Sequence, residues 1–163
     1  VRQFAAGGFR LRGAPRPLRL TYAGFLVFVA IGLATQAGFQ IGRVGLRPSD
    51  IAAYYRGGER GETMTFAKPF GQLLEVTHAH AFVMGVTFLV LAHLFVATGV
   101  RPRLGATVVV VAFAGMLGDL AAPWLVRYVA AAFAWMQVAA WLALWSGGGI
   151  MLAVSLWESL AGP

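Results

Sequence analysis

The chain has 163 residues, 59% hydrophobic and 12% charged, with a mean hydropathy of +0.73 and a net charge of +7. A soluble domain carries about 25% charged residues, so lipid has to cover much of this chain, and nucleic-acid binding, which needs a solvated basic face, is excluded. Cysteine is absent, which removes disulfides, thiolate metal sites and thiol catalysis.

Residues 1–20 form a basic segment holding Arg2, Arg10, Arg12, Arg16 and Arg19. It is not expected to be a signal peptide, because the apolar run that follows is span-length and lacks a cleavage site. That run, 21–41, is the first of four segments near or above the roughly 20 residues that a spanning helix needs. Gln36 and Gln40 stand near its far end.

Residues 42–74 read as a loop with local order. In "RPSDIAAYYRGG", Ser49 reads as an N-cap, Asp50 as a first-turn acid and Gly57 as the stop of a short helix. Ile51, Tyr54 and Tyr55 suit that helix to the membrane interface. "GGERGE" reads as a flexible tip.

The second span is expected at about 75–99, the third at 104–126 and the fourth at 130–157. Strands are unlikely spans here, since the runs are long and lack period-2 alternation. Glycines in "AFAGMLG" and "SGGG" suggest close helix packing. The fold class is therefore an all-α membrane protein: one domain, residues 21–160, of four transmembrane helices, with a short interfacial helix in the outer loop 42–74. The arginines of the N-terminal segment, with Arg101 and Arg103 in the tight second connection, are expected to put both termini in the cytoplasm and the long loop outside.

All three histidines, His78, His80 and His93, lie in the second span, with Glu75 just before them. At about 100° per residue, Glu75 and His93 share one angle and His78 lies about 60° away. Phe82, Gly85 and Leu89 fall in the same sector. Ionisable residues in a bilayer normally face protein or water, so this stripe is expected to face the bundle. His80 points about 140° away from Glu75. By depth, Glu75, His78, His80, Asp119, Arg127, Gln36 and Gln40 are expected to converge at one level as a polar cluster.

Three chemistries would use such a helix. Imidazoles ligate haem, and His80 and His93 have a spacing suited to two depths, though no other helix carries a histidine. A Glu–His pair serves protons or a quinone. "ExxHxH" offers metal ligands, but positions i and i+2 diverge on a regular helix, so no metal site is expected. The bland reading leaves Glu75, His78 and His80 in the polar interface and His93 bonded across helices to Thr35, Gln36 or Gln137.

"THAHAFVMGVTFLVLAHLF" resembles the H-x-H…G…H pattern of small bacterial inner-membrane proteins similar to fragments of the haem-copper oxidase and nitric oxide reductase superfamily. That resemblance implies haem or copper at His78, His80 and His93. The superfamily's remaining ligand histidines are missing, so no oxygen or nitric oxide catalysis is expected. "GDLAAPWLVRY" resembles the same kind of inner-membrane protein of respiratory bacteria. There is no G-x-S-x-G, P-loop or dinucleotide fingerprint, and no catalytic residue is assigned.

The expected function is a non-catalytic integral membrane subunit of a larger bacterial electron-transfer assembly. It would be accessory, or would carry a b-type haem or quinone near the second span, with other membrane subunits and lipids as partners. The alternative is a small transporter, channel or proton-pathway protein, which should show polar residues along several helices.

Overall fold

The computed structural model describes residues 8–60 and 63–161. Arg2 of the basic segment, and Gly61 and Glu62 of the loop tip, lie outside them. Helix α1 spans Arg16–Phe39 and ends in a π-helical turn, Gln40–Val44. Helix α2 is Pro48–Arg56, followed by strands β1 (Gly58–Arg60) and β2 (Thr63–Thr65). Helices α3 (Phe70–Val96), α4 (Pro102–Tyr128) and α5 (Ala134–Ala161) complete the chain, the last entered through a 3-10 turn, Ala131–Phe133. The four long helical segments are each long and apolar enough to cross a membrane. The protein is a multi-pass, four-helix membrane protein.

Proline sets most of the helix starts. Pro17, Pro48 and Pro102 sit in first turns, and Pro69 immediately precedes α3. Proline's fixed φ suits a first turn, where its missing N–H is no loss. This corrects two expected boundaries. The second span starts at Phe70 rather than near Glu75, and the cap of α2 is Arg47 rather than Ser49, because Pro48 already occupies the first helical position. The stop at Gly57 has a physical cause: its φ is +83°, and a Cβ there would come within 2.8 Å of the Ala67 backbone nitrogen.

Helices α4 and α5 pack most extensively against each other. A Cβ on Gly115 would meet the Leu144 nitrogen at 2.5 Å, and one on Gly147 would meet Ala112 at 2.9 Å. The expected close packing is realised by these glycines. Helix α1 rests mainly on α5, and α3 rests on α4 and α5. The main core lies among them, with Leu26, Phe88, Leu91, Phe95, Ala112 and Met151 buried.

The described part of the loop has regular structure on both sides of the tip. Strands β1 and β2 form an antiparallel hairpin with Glu59 opposite Met64. Helix α2 folds across the end of the bundle, burying Ile51 against Val44, Val126, Ala134 and Trp141. Arg56 Nη1 donates to the Val126 carbonyl at 2.9 Å, and Arg127 Nε donates to the Lys68 carbonyl at 2.9 Å. The last turn of α4 is thus capped from the loop, which satisfies a carbonyl that the helix cannot satisfy itself. At the opposite end, the basic segment docks: Leu11 is buried and its N–H meets the Ala97 carbonyl at 2.9 Å, while Arg10 Nη1 donates to the Thr98 carbonyl at 2.6 Å.

Candidate ligand cleft

The polar centre of the bundle is Asp119, two-thirds of the way along α4. Its Oδ1 accepts two hydrogen bonds from α5, one from Gln137 Nε2 at 2.6 Å and one from Trp141 Nε1 at 2.8 Å. Gln137 and Trp141 are four residues apart, so they stack on one helix face, and both are buried. A carboxyl in a membrane helix needs such partners, because no water is there to meet it. One turn further on stands Pro123, inside the helix. It has no N–H, so the Asp119 backbone carbonyl loses its usual partner.

Two cavities meet at Asp119. The larger, about 450 Å³, lies between α1 and α3 and is walled by apolar side chains such as Phe25, Phe28, Val29, Leu33, Val83 and Phe88. The other, about 260 Å³, continues towards the loop, under Tyr54, Tyr55 and Lys68. Gln36, Gln40, His80 and Asp119 line both. A third, about 570 Å³, shares Tyr54, Lys68 and Gln72 with the second and is walled by the loop. The arrangement is an apolar cleft with a polar head, and a polar vestibule beyond it.

Local backbone places the head groups. Gln36 and Gln40 stand one turn apart, and Gln40 opens the π turn. Gln40 is 2% exposed, and its Oε1 has no hydrogen-bond partner within the chain. His80 turns its Nδ1 back to the Val76 carbonyl at 2.9 Å and lies within electrostatic reach of Asp119. Tyr55 looks down from α2. Desolvation pushes its phenol well above the ordinary tyrosine range, and the nearby Asp119 and Tyr54 push the same way.

The expected convergence is realised in part. Gln36, Gln40, His80 and Asp119 come together. Arg127 does not join them, since it ties the loop to α4. The expected inward stripe of α3 is corrected: Glu75, His78 and His93 are exposed on its outer face, and His80, the residue set apart from them, faces the cleft. With apolar residues on every side, α3 has little moment to say which side turns inward, and burial goes instead to Leu91, Leu94 and Phe95. His78 packs edge-on to Phe82, with ring centroids 5.2 Å apart. Of the structural partners expected for His93, Gln137 donates to Asp119, and the Thr35 hydroxyl donates to the Ile31 carbonyl of its own helix.

Gln137, Trp141, Tyr55 and Pro123 belong to the site without being among the site residues expected from sequence. The D-x-x-x-P spacing of Asp119 and Pro123 was a usable signal for a freed carbonyl. Nothing local marked Tyr55, which arrives by the folding of the loop. Among the described residues, no three histidine, aspartate or glutamate side chains cluster as a metal site.

A family model described as a transmembrane helical domain matches residues 45–163. No curated protein and no solved structure matches the chain. The likeness to the haem-copper oxidase superfamily is not among these matches.

Proposed function

The chain belongs to this family of transmembrane helical domains, and from that premise we propose that it is a non-catalytic subunit of a bacterial inner-membrane electron-transfer assembly that binds a lipid-soluble quinone. The observation that carries the reading is the cleft. Its apolar wall lies between two spans, and its polar end offers His80, Asp119, Gln36 and Gln40. A quinone has the same polarity, with an isoprenoid tail at home in lipid and a ring that needs a few placed polar groups.

Haem fits this cleft less well. Axial ligands approach the iron from opposite faces. The ligand types at the cleft, His80 and Met84, both come from α3 and are one turn apart, on one side. Partner subunits belong to the same proposal. Glu75, His78 and His93 stand on the outer face of α3, and ionisable groups at such positions favour cover by protein over lipid.

The test is chemical. The protein purified in mild detergent should carry isoprenoid quinone at near one per chain after organic extraction, and His80→Phe with Asp119→Asn should strip it. An intense visible band lost in His80→Ala would assign haem in place of quinone. A second reading, a proton pathway, draws on the vestibule that leads from the loop to Asp119. It requires proton flux through quinone-free proteoliposomes.

A further inference from the structure

The polar end of the cleft holds acceptors that no donor meets, which bears on the redox form of a bound ring; the inference rests on the quinone reading above. His80 Nδ1 faces the Val76 carbonyl at 2.9 Å. A carbonyl oxygen can only accept, so the proton sits on Nδ1. In the neutral ring, Nε2 is then a bare lone pair. Gln40 Oε1 is buried and without a donor. The Asp119 backbone carbonyl has lost its helical donor to Pro123. The nearest side-chain donors from α5, Gln137 Nε2 and Trp141 Nε1, are already given to Asp119 Oδ1.

An oxidised quinone brings two carbonyls, which are acceptors facing acceptors. A hydroquinone brings two hydroxyls, each with a hydrogen to give. A buried acceptor left unmet is costly, and one that gains a donor is not. We propose that the cleft is selective for the reduced ring. The hydroxyls of a lipid-soluble hydroquinone donate to His80 Nε2 and Gln40 Oε1, while its tail lies between α1 and α3 against Phe28 and Val83. Gln36 and Gln40 both carry an amide that can donate and accept; it is the unmet Oε1 of Gln40 that bears on the preference, and Gln36 has no such buried unmet atom.

The experiment compares decylubiquinone with its reduced form, decylubiquinol, under anaerobic, mildly alkaline conditions. The protein is held in lipid nanodiscs, and binding is read as the excess over protein-free nanodiscs. We expect the quinol to bind at least about tenfold more tightly, which raises the midpoint potential of the bound couple by about 30 mV. His80→Phe and Gln40→Met keep the bulk of each side chain and remove its acceptor. Each should bring the ratio close to one, with helicity and detergent elution unchanged. Equal binding of the two forms, or tighter binding of the quinone, overturns the selectivity and leaves the quinone site standing. No binding of either form overturns the quinone reading, and the selectivity with it. A ratio that persists in both variants overturns the assignment to His80 and Gln40.

Discussion

At the scale of single residues, Asp119 is the side chain on which most depends. It serves two buried donors at once, so losing it orphans both. Each unmet donor costs about 1–3 kcal/mol. Asp119→Leu should therefore lower the apparent Tm in detergent sharply, while Asp119→Asn, which keeps one carbonyl oxygen, should lower it less; equal Tm values for the two would contradict the hydrogen-bond account. Tyr55 supplies a pH dependence. Its phenol is raised in the folded protein, so above about pH 10 the unfolded chain has lost that proton while the folded one still holds it. The folded state then binds more protons, and stability falls as pH rises. This contribution is fully present below the unfolded pKa and is lost through the alkaline range. Thermal melts of Tyr55→Phe should show a shallower alkaline decline than the parent, with no difference near neutrality. Depth along the third span is what assigns Asp119 to the polar cluster in the sequence. It could not identify the partners, because Gln137 and Trp141 reach Asp119 only through the packing of α5.

Among the elements, the α4–α5 pair is the rigid part. At Gly115 and Gly147 the two helices lie so close that a methyl group added to either glycine would overlap the facing helix, and helices in lipid are held by such packing rather than by the hydrophobic effect. Gly115→Ala and Gly147→Ala should each cost about 1–3 kcal/mol by overpacking. Gly149→Ala, where nothing lies within 4 Å of the new carbon, should be neutral; melting temperatures of the three variants in one detergent would check this. The spans and the close packing were legible because length, hydropathy and glycine clusters are local properties of the chain. The inward face of α3 was not, because Leu89 on the exposed side and Leu91 on the buried side are equally apolar. The π turn at Gln40 was also hidden. An extra residue in a helical turn leaves no mark on hydropathy, yet Gln40 stands where that turn begins.

For the whole molecule, four spans put the two ends of the described chain on one side of the membrane and the α2–hairpin loop on the other. From the arginine distribution we propose that this loop faces outside. Reporter fusions at Gly58 and Ala161 should read outside and inside respectively, and the reverse pattern would invert the side from which the vestibule is reached. The loop's place over the bundle was only half legible. Its helix was written in "RPSDIAAYYRGG", but the bonds that fold it back come from Arg56 and Arg127, two arginines that charge counting treats as topology signals alone.

The pairing of Asp119 with α5 also bears on how the chain enters the membrane during synthesis. Helix α4 emerges first, carrying a carboxyl that costs about 2.5–3.5 kcal/mol at the centre of a lone inserting helix. Its two donors lie on the next helix, and the link between them is only a few residues long, passing straight into the 3-10 turn. The economical route is for α4 and α5 to leave the translocation machinery together as a hairpin, already bonded. A chain stopped after Tyr128 should therefore hold α4 in the bilayer poorly, and extending it through Trp141 should restore the span.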